Sequence, residues 1–275
     1  MEDSQNHVPS LSISKAIEQL LESGLTASLV TIIDASENVG SKLLLDENGN
    51  STGSVGSLEL ARAVAKQALI FLASREETRA LRVSEFAPEL SSLRETLLLF
   101  ERIHPEPRLV ICGAGHVGAT LARLASSVGY HTTLIDDRAE FVTRERFADE
   151  RIELVLAETW TTAVGEAIGS GKGVAIAVVT RGHNEDEECM RAVITSNPDY
   201  VGLIGSRRRT NIVIDRLRDA GANAEVLRGI RAPIGLDIGA VTPEEVALAI
   251  LAEIVAHRRG GTGGSLSAWR RERET

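Results

Sequence analysis

Cysteine is nearly missing from this chain of 275 residues: there are two, Cys112 and Cys189, too few for a disulfide framework. Aromatic residues make up only 3%, so binding across a broad aromatic stacking surface is not expected. Basic charge is in deficit. Lys and Arg number 30 against 39 Asp and Glu, a formal net charge of −9, whereas a nucleic-acid binder needs a basic footprint. No apolar run approaches the ~18 residues that mark a membrane-spanning helix. The opening stretch Met1 to His7 is acidic and polar and lacks the regions of a signal peptide. With the cysteine usage, this sets the expectation of a reducing, cytoplasmic setting. Zinc-type His/Cys spacing, a G-x-S-x-G elbow and a Walker A motif are all absent, so no resident metal site is expected. No internal repeat is visible.

What is present begins with 43% hydrophobic residues, enough for real cores, and a length that suits one large or two modest domains. The stretch that organises the chain is Leu109-Val110-Ile111-Cys112-Gly113-Ala114-Gly115-His116-Val117-Gly118. Four apolar residues read as a buried strand, and Gly113, Gly115 and Gly118 form G-x-G-x-x-G. A helical pattern follows in Val117, Leu121, Leu124, Ala125 and Val128. In a dinucleotide-binding turn the first glycine permits the tight turn, the second lets a pyrophosphate approach the backbone, and the third lets helix and strand pack closely. The helix N-terminus offers free N–H groups to an anion. A second strand, Thr132 to Ile135, ends in Asp136-Asp137, where a carboxylate can meet a ribose hydroxyl. The alternative is a doubly wound domain whose glycines only tighten packing.

Upstream, residues 1–10 read as a frayed end, Ser14 to Ser23 as a helix and Ala27 to Ile33 as a strand. Asn48-Gly49 marks a hairpin between Lys42–Leu45 and Ser51–Val55. A long amphipathic helix runs from Leu58 to Ser74, with further strands at Ala80–Val83 and Glu95–Phe100. His104-Pro105-Glu106-Pro107 breaks both element types. After it, strands at 109–112, 132–135, 153–156, 174–179 and 200–204 alternate with helices near 116–128, 159–168, 184–195 and 207–219. Thr242-Pro243-Glu244-Glu245 opens a last helix with a capping box and Pro at its first position. The expected fold is α/β: a C-terminal Rossmann-like doubly wound parallel sheet preceded by a small α+β domain. The expected domains are 1–105, 106–260 and a flexible tail 261–275 that contains Trp269.

Ligands of open α/β sheets bind beyond the carboxyl ends of the strands, so the residues there are the candidates. Gly113, Gly115, His116 and Gly118 follow the first strand, and Asp136 follows the second, with Asp137 as the alternative ribose acceptor. An acid there favours NAD over NADP, although Arg138 could accommodate a 2′-phosphate. His183 and Asp186, spaced i, i+3, fit a proton shuttle, a metal pair or plain helix capping. Ser206 and Arg207 open a helix with Arg208 and Arg209, a placement of positive charge that opposes the helix dipole unless an anion binds. Asp237, between Gly235 and Gly239, sits in a shaped loop suited to a ligand or partner.

Together these motifs, with Arg181-Gly182-His183-x-x-Asp186, Gly202-Leu203-Ile204-Gly205-Ser206-Arg207 and Pro233-Ile234-Gly235-Leu236-Asp237-Ile238-Gly239-Ala240, resemble the XdhC/CoxI family. The resemblance covers residues 109–258 strongly and 27–72 more weakly. It implies an accessory factor that binds molybdenum–pterin cofactor transiently, supports its maturation and inserts it into a molybdenum hydroxylase such as xanthine dehydrogenase. The implied partners are an apo molybdenum hydroxylase and a cysteine desulfurase; a homodimer is also expected. On this reading Gly113, Gly115, His116, Gly118, Asp136, Ser206 and Arg207 bind cofactor, and His183, Asp186 and Asp237 surround its reactive end or position the client. NAD(P) is a further candidate ligand. The rival readings are an NAD-dependent oxidoreductase, with His183 or His116 as acid/base, and a dinucleotide-binding redox sensor. The chain departs from the family in Gly53-Ser54-Val55-Gly56-Ser57-Leu58-Glu59, where many members carry a longer segment with cysteine.

Overall fold

Side chains alternate along the strand Arg108–Cys112, and both sets are buried: Leu109 and Ile111 on one face, Val110 and Cys112 on the other. A strand apolar on both faces belongs in the middle of a sheet covered by helices on both sides. This is what the computed structural model shows. It describes residues 10–196 and 198–267; the expectations for residues 1–9 and for Trp269 lie outside them. The chain divides into two compact units, 1–105 and 106–275.

In the first unit, helix α1 (Ser10–Glu22) precedes strands β1 (Ala27–Asp34), β2 (Lys42–Asp46) and β3 (Ser51–Gly53). Helix α2 (Leu58–Ala73) follows, then β4 (Thr78–Arg82), the short α3 (Val83–Phe86) and β5 (Leu97–Ile103). The strands form an antiparallel sheet in the order β3-β2-β1-β5-β4. The turn between β2 and β3 is held by Asp46, whose carboxylate accepts from the amides of Asn48 and Asn50, and Gly49 takes φ +88°. Ser57 caps α2 by accepting from the Leu60 amide. Leu60, Val64, Ala68 and Phe71 of α2 then join Val30, Ile32, Leu98 and Phe100 in one core. The segment 83–86 is helical, so the fourth strand stops at Arg82; Glu85 accepts from the Arg82 amide there.

In the second unit, β6 (Arg108–Cys112), α4 (His116–Ser127), β7 (His131–Asp136), β8 (Ile152–Leu156), α5 (Trp160–Ile168), β9 (Val174–Val178), α6 (His183–Ser196), β10 (Tyr200–Leu203), α7 (Arg207–Asp219), the short α8 (Ala224–Gly229) and α9 (Pro243–Arg259) follow in turn. All the strand pairings are parallel, in the order β10-β9-β6-β7-β8. Counted from β6, this is 3-2-1-4-5 read from the β8 edge, the Rossmann order. Helices α5, α6 and α7 pack on one face over Val110, Val174, Ile176 and Val178. Helices α4 and α9 cover the other over Leu109, Ile111, Ala175 and Ala177. Among the described residues no helix is long and apolar enough to cross a membrane.

Candidate functional site

Strand order reverses direction at β6, because the chain moves from β6 toward β7 and β8 and later returns to β9 on the other side. The carboxyl ends of β6 and β9 therefore diverge, and a crevice opens between the connections that leave them. A cavity of about 570 Å³ lies there, lined by Gly113, Gly115, His116 and Val117 after β6, Arg138 and Phe141 after β7, Val179 to Arg181 after β9, and Ile204, Gly205, Arg209 and Pro243.

The three glycines of the turn are glycine for different reasons. Gly113 has φ +111°, and a Cβ there would lie 2.7 Å from the Val179 carbonyl oxygen. A Cβ on Gly118 would overlap the Gly113 carbonyl oxygen. Both glycines thus serve close packing of β6, β9 and α4. Gly115 differs. Its φ of −66° is open to any residue, and a Cβ would meet nothing within 4 Å. The protein itself does not require glycine there, and the free space faces the cavity. Gly115 is also the N-cap of α4, and no side chain caps it, so the first amides of the helix are left for an anion.

Three arginines line the cavity, and each is paired with a carboxylate. Asp136, at the end of β7, is buried. It accepts from the Ala114 amide at 2.7 Å, from the Arg138 amide at 3.0 Å, and from Arg138 Nε and Nη2 at 2.8 and 2.9 Å. Arg138 then lies 3.6 Å from the centre of the Phe141 ring, a cation–π distance. Asp137 accepts two bonds from Arg181, at 2.7 and 2.8 Å. That guanidinium holds the Asp137 carboxyl below the usual range, against the opposing effect of burial. Hydrogen bonds to Asp136 and Asp137 in turn raise Arg138 and Arg181. Asp186, fully buried in α6, accepts from Thr180 Oγ1 at 2.6 Å and Arg209 Nε at 2.9 Å. Burial pushes its carboxyl above the ordinary range, and the Thr180 hydroxyl and Arg209 guanidinium pull it back.

Among the residues expected at the site, Gly113, Gly115 and His116 line the cavity, and Gly118 lies directly beneath the turn. Asp136 is turned into the protein, where it fastens the turn through the Ala114 amide; the more exposed Asp137 stands nearer the rim. Asp186 likewise faces Arg209 and not His183. His183 is exposed at the first position of α6, and no hydrogen bond links it to Asp186. Ser206 caps α7 by accepting from the Arg209 amide. Arg207 and Arg208 are exposed, and neither forms an ion pair with the described residues. Asp237 is exposed in a loop outside the cavity lining; the Gly235 amide there donates to Glu253 at 2.6 Å. The structure thus brings the glycine turn and His116 to one cavity and does not gather His183, Asp186 and Asp237 into a cluster. Arg181 and Arg209, which the sequence offers only as members of longer rim motifs and not as singled-out site residues, also line the cavity. The signal available for both is position, since they stand within a few residues of the ends of β9 and β10. Among the described residues no group of three or more His, Cys, Asp or Glu could hold a metal ion.

The strand order, the glycine turn and the crevice define a Rossmann-type domain whose glycine turn opens a helix that no side chain caps. The chain belongs to the XdhC and CoxI family: the model of the XdhC Rossmann domain matches residues 109–254, and that of the XdhC and CoxI family matches residues 20–84. Among curated proteins it is 28% identical to the uncharacterised protein YqeB of Escherichia coli over 90% of this chain and 46% of that one. It is 30% identical to a Bacillus subtilis protein named as a probable xanthine dehydrogenase component, over 60% of this chain and 47% of that one. It is 23% identical to the molybdenum cofactor insertion chaperone PaoD of E. coli, over 88% of this chain and 86% of that one. The chain therefore spans about half the length of the first two relatives. A crystal structure described as a xanthine dehydrogenase from Bacillus halodurans shares the fold with a TM-score of 0.64, at 20% identity, over 90% of this chain and 66% of that one.

Proposed function

We propose that this protein is an accessory factor for a molybdenum hydroxylase, that it binds molybdenum–pterin cofactor as cargo, and that it supports insertion of that cofactor into the client. The observation that carries the reading is the space above Gly115, which the protein does not need and a phosphate-bearing ligand does. Molybdenum–pterin cofactors carry a phosphate or a pyrophosphate. The uncapped amides of α4 and the guanidinium groups of Arg181 and Arg209 suit such an end chemically. The likeness to PaoD, which runs over most of both chains, supports the same assignment. The finer parts of the reading are sulfuration of the cofactor with a cysteine desulfurase and a homodimeric state. His116, on the cavity wall, is the histidine best placed to touch the ligand; His183 and Asp237 are better placed to meet the client.

The test is to produce the protein in a host that makes the cofactor and to measure pterin fluorescence and molybdenum in the purified sample. Transfer to an apo hydroxylase is then scored by recovered client activity. Retention of pterin and molybdenum with recovered activity is the expected outcome. A protein that carries no pterin and activates no cognate client refutes the assignment.

A further inference from the structure

Asp137 and Arg181 are 44 residues apart, and the strands they follow are not neighbours. In the sheet β6 lies between β7 and β9, so the pair reaches across two strand spacings, ~9–10 Å, above the point where the chain leaves β6 at Gly113. In a Rossmann domain a dinucleotide or other pyrophosphate ester crosses this same point. Arg181 lines the cavity and points both terminal nitrogens at one carboxylate, at 2.7 and 2.8 Å. A carboxylate and a phosphate offer a guanidinium the same two-oxygen face.

We infer that Asp137 is a built-in stand-in for the ligand's phosphate: it occupies Arg181 until a diphosphate ester enters the crevice and takes the guanidinium over. The exchange is feasible because both partners touch solvent, with 47% of the Arg181 side chain and 29% of the Asp137 side chain exposed. Arg181 also keeps a second anchor in Glu185, 3.3 Å from its Nε, so it can leave Asp137 without losing its place. Asp136 cannot play this part, since its carboxylate is buried and fully used by Ala114 and Arg138. The inference rests on the reading of the crevice as a phosphate site, and it adds that the protein spans the crevice with an anion of its own before a ligand arrives.

The experiment is calorimetric titration of the full chain with ADP-ribose as the diphosphate probe. Asp137→Asn keeps the shape of the side chain and removes the competing charge. It is expected to bind ADP-ribose about 1.5-fold to fivefold more tightly than the parent, the span expected from a partly exposed ion pair. Arg181→Gln should bind more weakly, and adding Asp137→Asn to it should bring no further gain. Asp137→Ser serves if the asparagine variant does not fold. The inference is overturned if Asp137→Asn binds no tighter, if its gain survives in the Arg181→Gln background, or if neither parent nor variant binds ADP-ribose. The molybdenum–pterin content of the same preparations reports separately on the accessory-factor assignment, which stands or falls on that measurement.

Discussion

Gly115 and Gly118 should respond in opposite ways to substitution, and the contrast tests whether the turn is built for a ligand or for packing. A Cβ on Gly118 overlaps the Gly113 carbonyl oxygen and stands 3.2 Å from Val179 Cγ2. The first obstacle is backbone and cannot rotate away. Gly118→Ala must therefore push α4 off β6, which costs about 1–3 kcal/mol as overpacking. In a unit of this size each kcal/mol lowers Tm by about 2–4 °C. Gly115→Val meets no atom within 4 Å at its Cβ and keeps an allowed φ of −66°. Its expected stability cost is the N-cap preference alone, about 1 kcal/mol or less. The added side chain should nevertheless fill the anion seat and abolish binding of phosphate-bearing cofactor. Thermal melts and binding titrations on the two variants decide the matter. Undiminished affinity in Gly115→Val refutes the claim that the space holds a ligand. Equal destabilisation by both substitutions refutes the division of labour between the glycines.

Asp186→Ala removes the carboxylate from a fully buried site and leaves Arg209 and Thr180 without it. The expected loss is about 3 kcal/mol, the low end for breaking a buried pair because Arg209 retains solvent contact; Asp186→Asn should lose less, and chemical denaturation measures both. Asp149 is held at about 2, first by the Ser126 hydroxyl and then by Arg151. A carboxyl depressed from 3.8 stabilises the fold above the ordinary value, and that contribution disappears as pH falls from 3.8 through about 2. Ser126→Ala should move the Asp149 titration upward in an NMR pH series, and no movement would remove the hydroxyl as its main cause.

Much of the second unit is legible in the sequence because its signals are periodic and local. Alternating apolar pairs in β6 and β9, glycines with distinct steric reasons, and the Thr242–Glu245 capping box, in which Thr242 accepts from the Glu245 amide, each act within a few residues of chain. The fold class follows from them. The short helices at 83–86 and 224–229 escape such a reading, since a single turn carries no period; Asn223 caps the second of these by accepting from the Glu225 amide. The site is harder for another reason. Side-chain direction at a strand end is decided by partners far along the chain. Asp136 reads as a ribose acceptor by position, yet it turns inward because the Ala114 amide, 22 residues earlier, and Arg138 both donate to it. Asp186 reads as a partner for His183 by helical spacing, yet Arg209, 23 residues later, reaches it first. Arg207 is favoured by sequence as the first cation of α7, whereas Arg209 is the one on the cavity wall.

These pairings determine what kind of anion site the crevice can be. Arg138, Arg181 and Arg209 each face a carboxylate, so the local charges largely cancel, and the chain as a whole is at −9. Long-range attraction of an anionic ligand is therefore weak, and a high electrostatically steered on-rate is not available. What remains is short-range recognition: guanidinium groups already oriented by the buried Asp136 and Asp186, and helix amides that no side chain caps. Such a site discriminates by geometry at contact. It also gives a reason for the acids to sit behind the arginines: an arginine fixed by Asp136 or Asp186 forfeits less rotamer freedom when a phosphate arrives than a free one would. Arg207 and Arg208 lack this support, which is why exposure alone does not make them the better candidates. By the same argument Arg209 depends on Asp186 for its aim, so Asp186→Asn should weaken phosphate binding even where the fold survives. A binding titration on the folded variant tests this; affinity equal to the parent's would show that Arg209 needs no carboxylate to hold it in place.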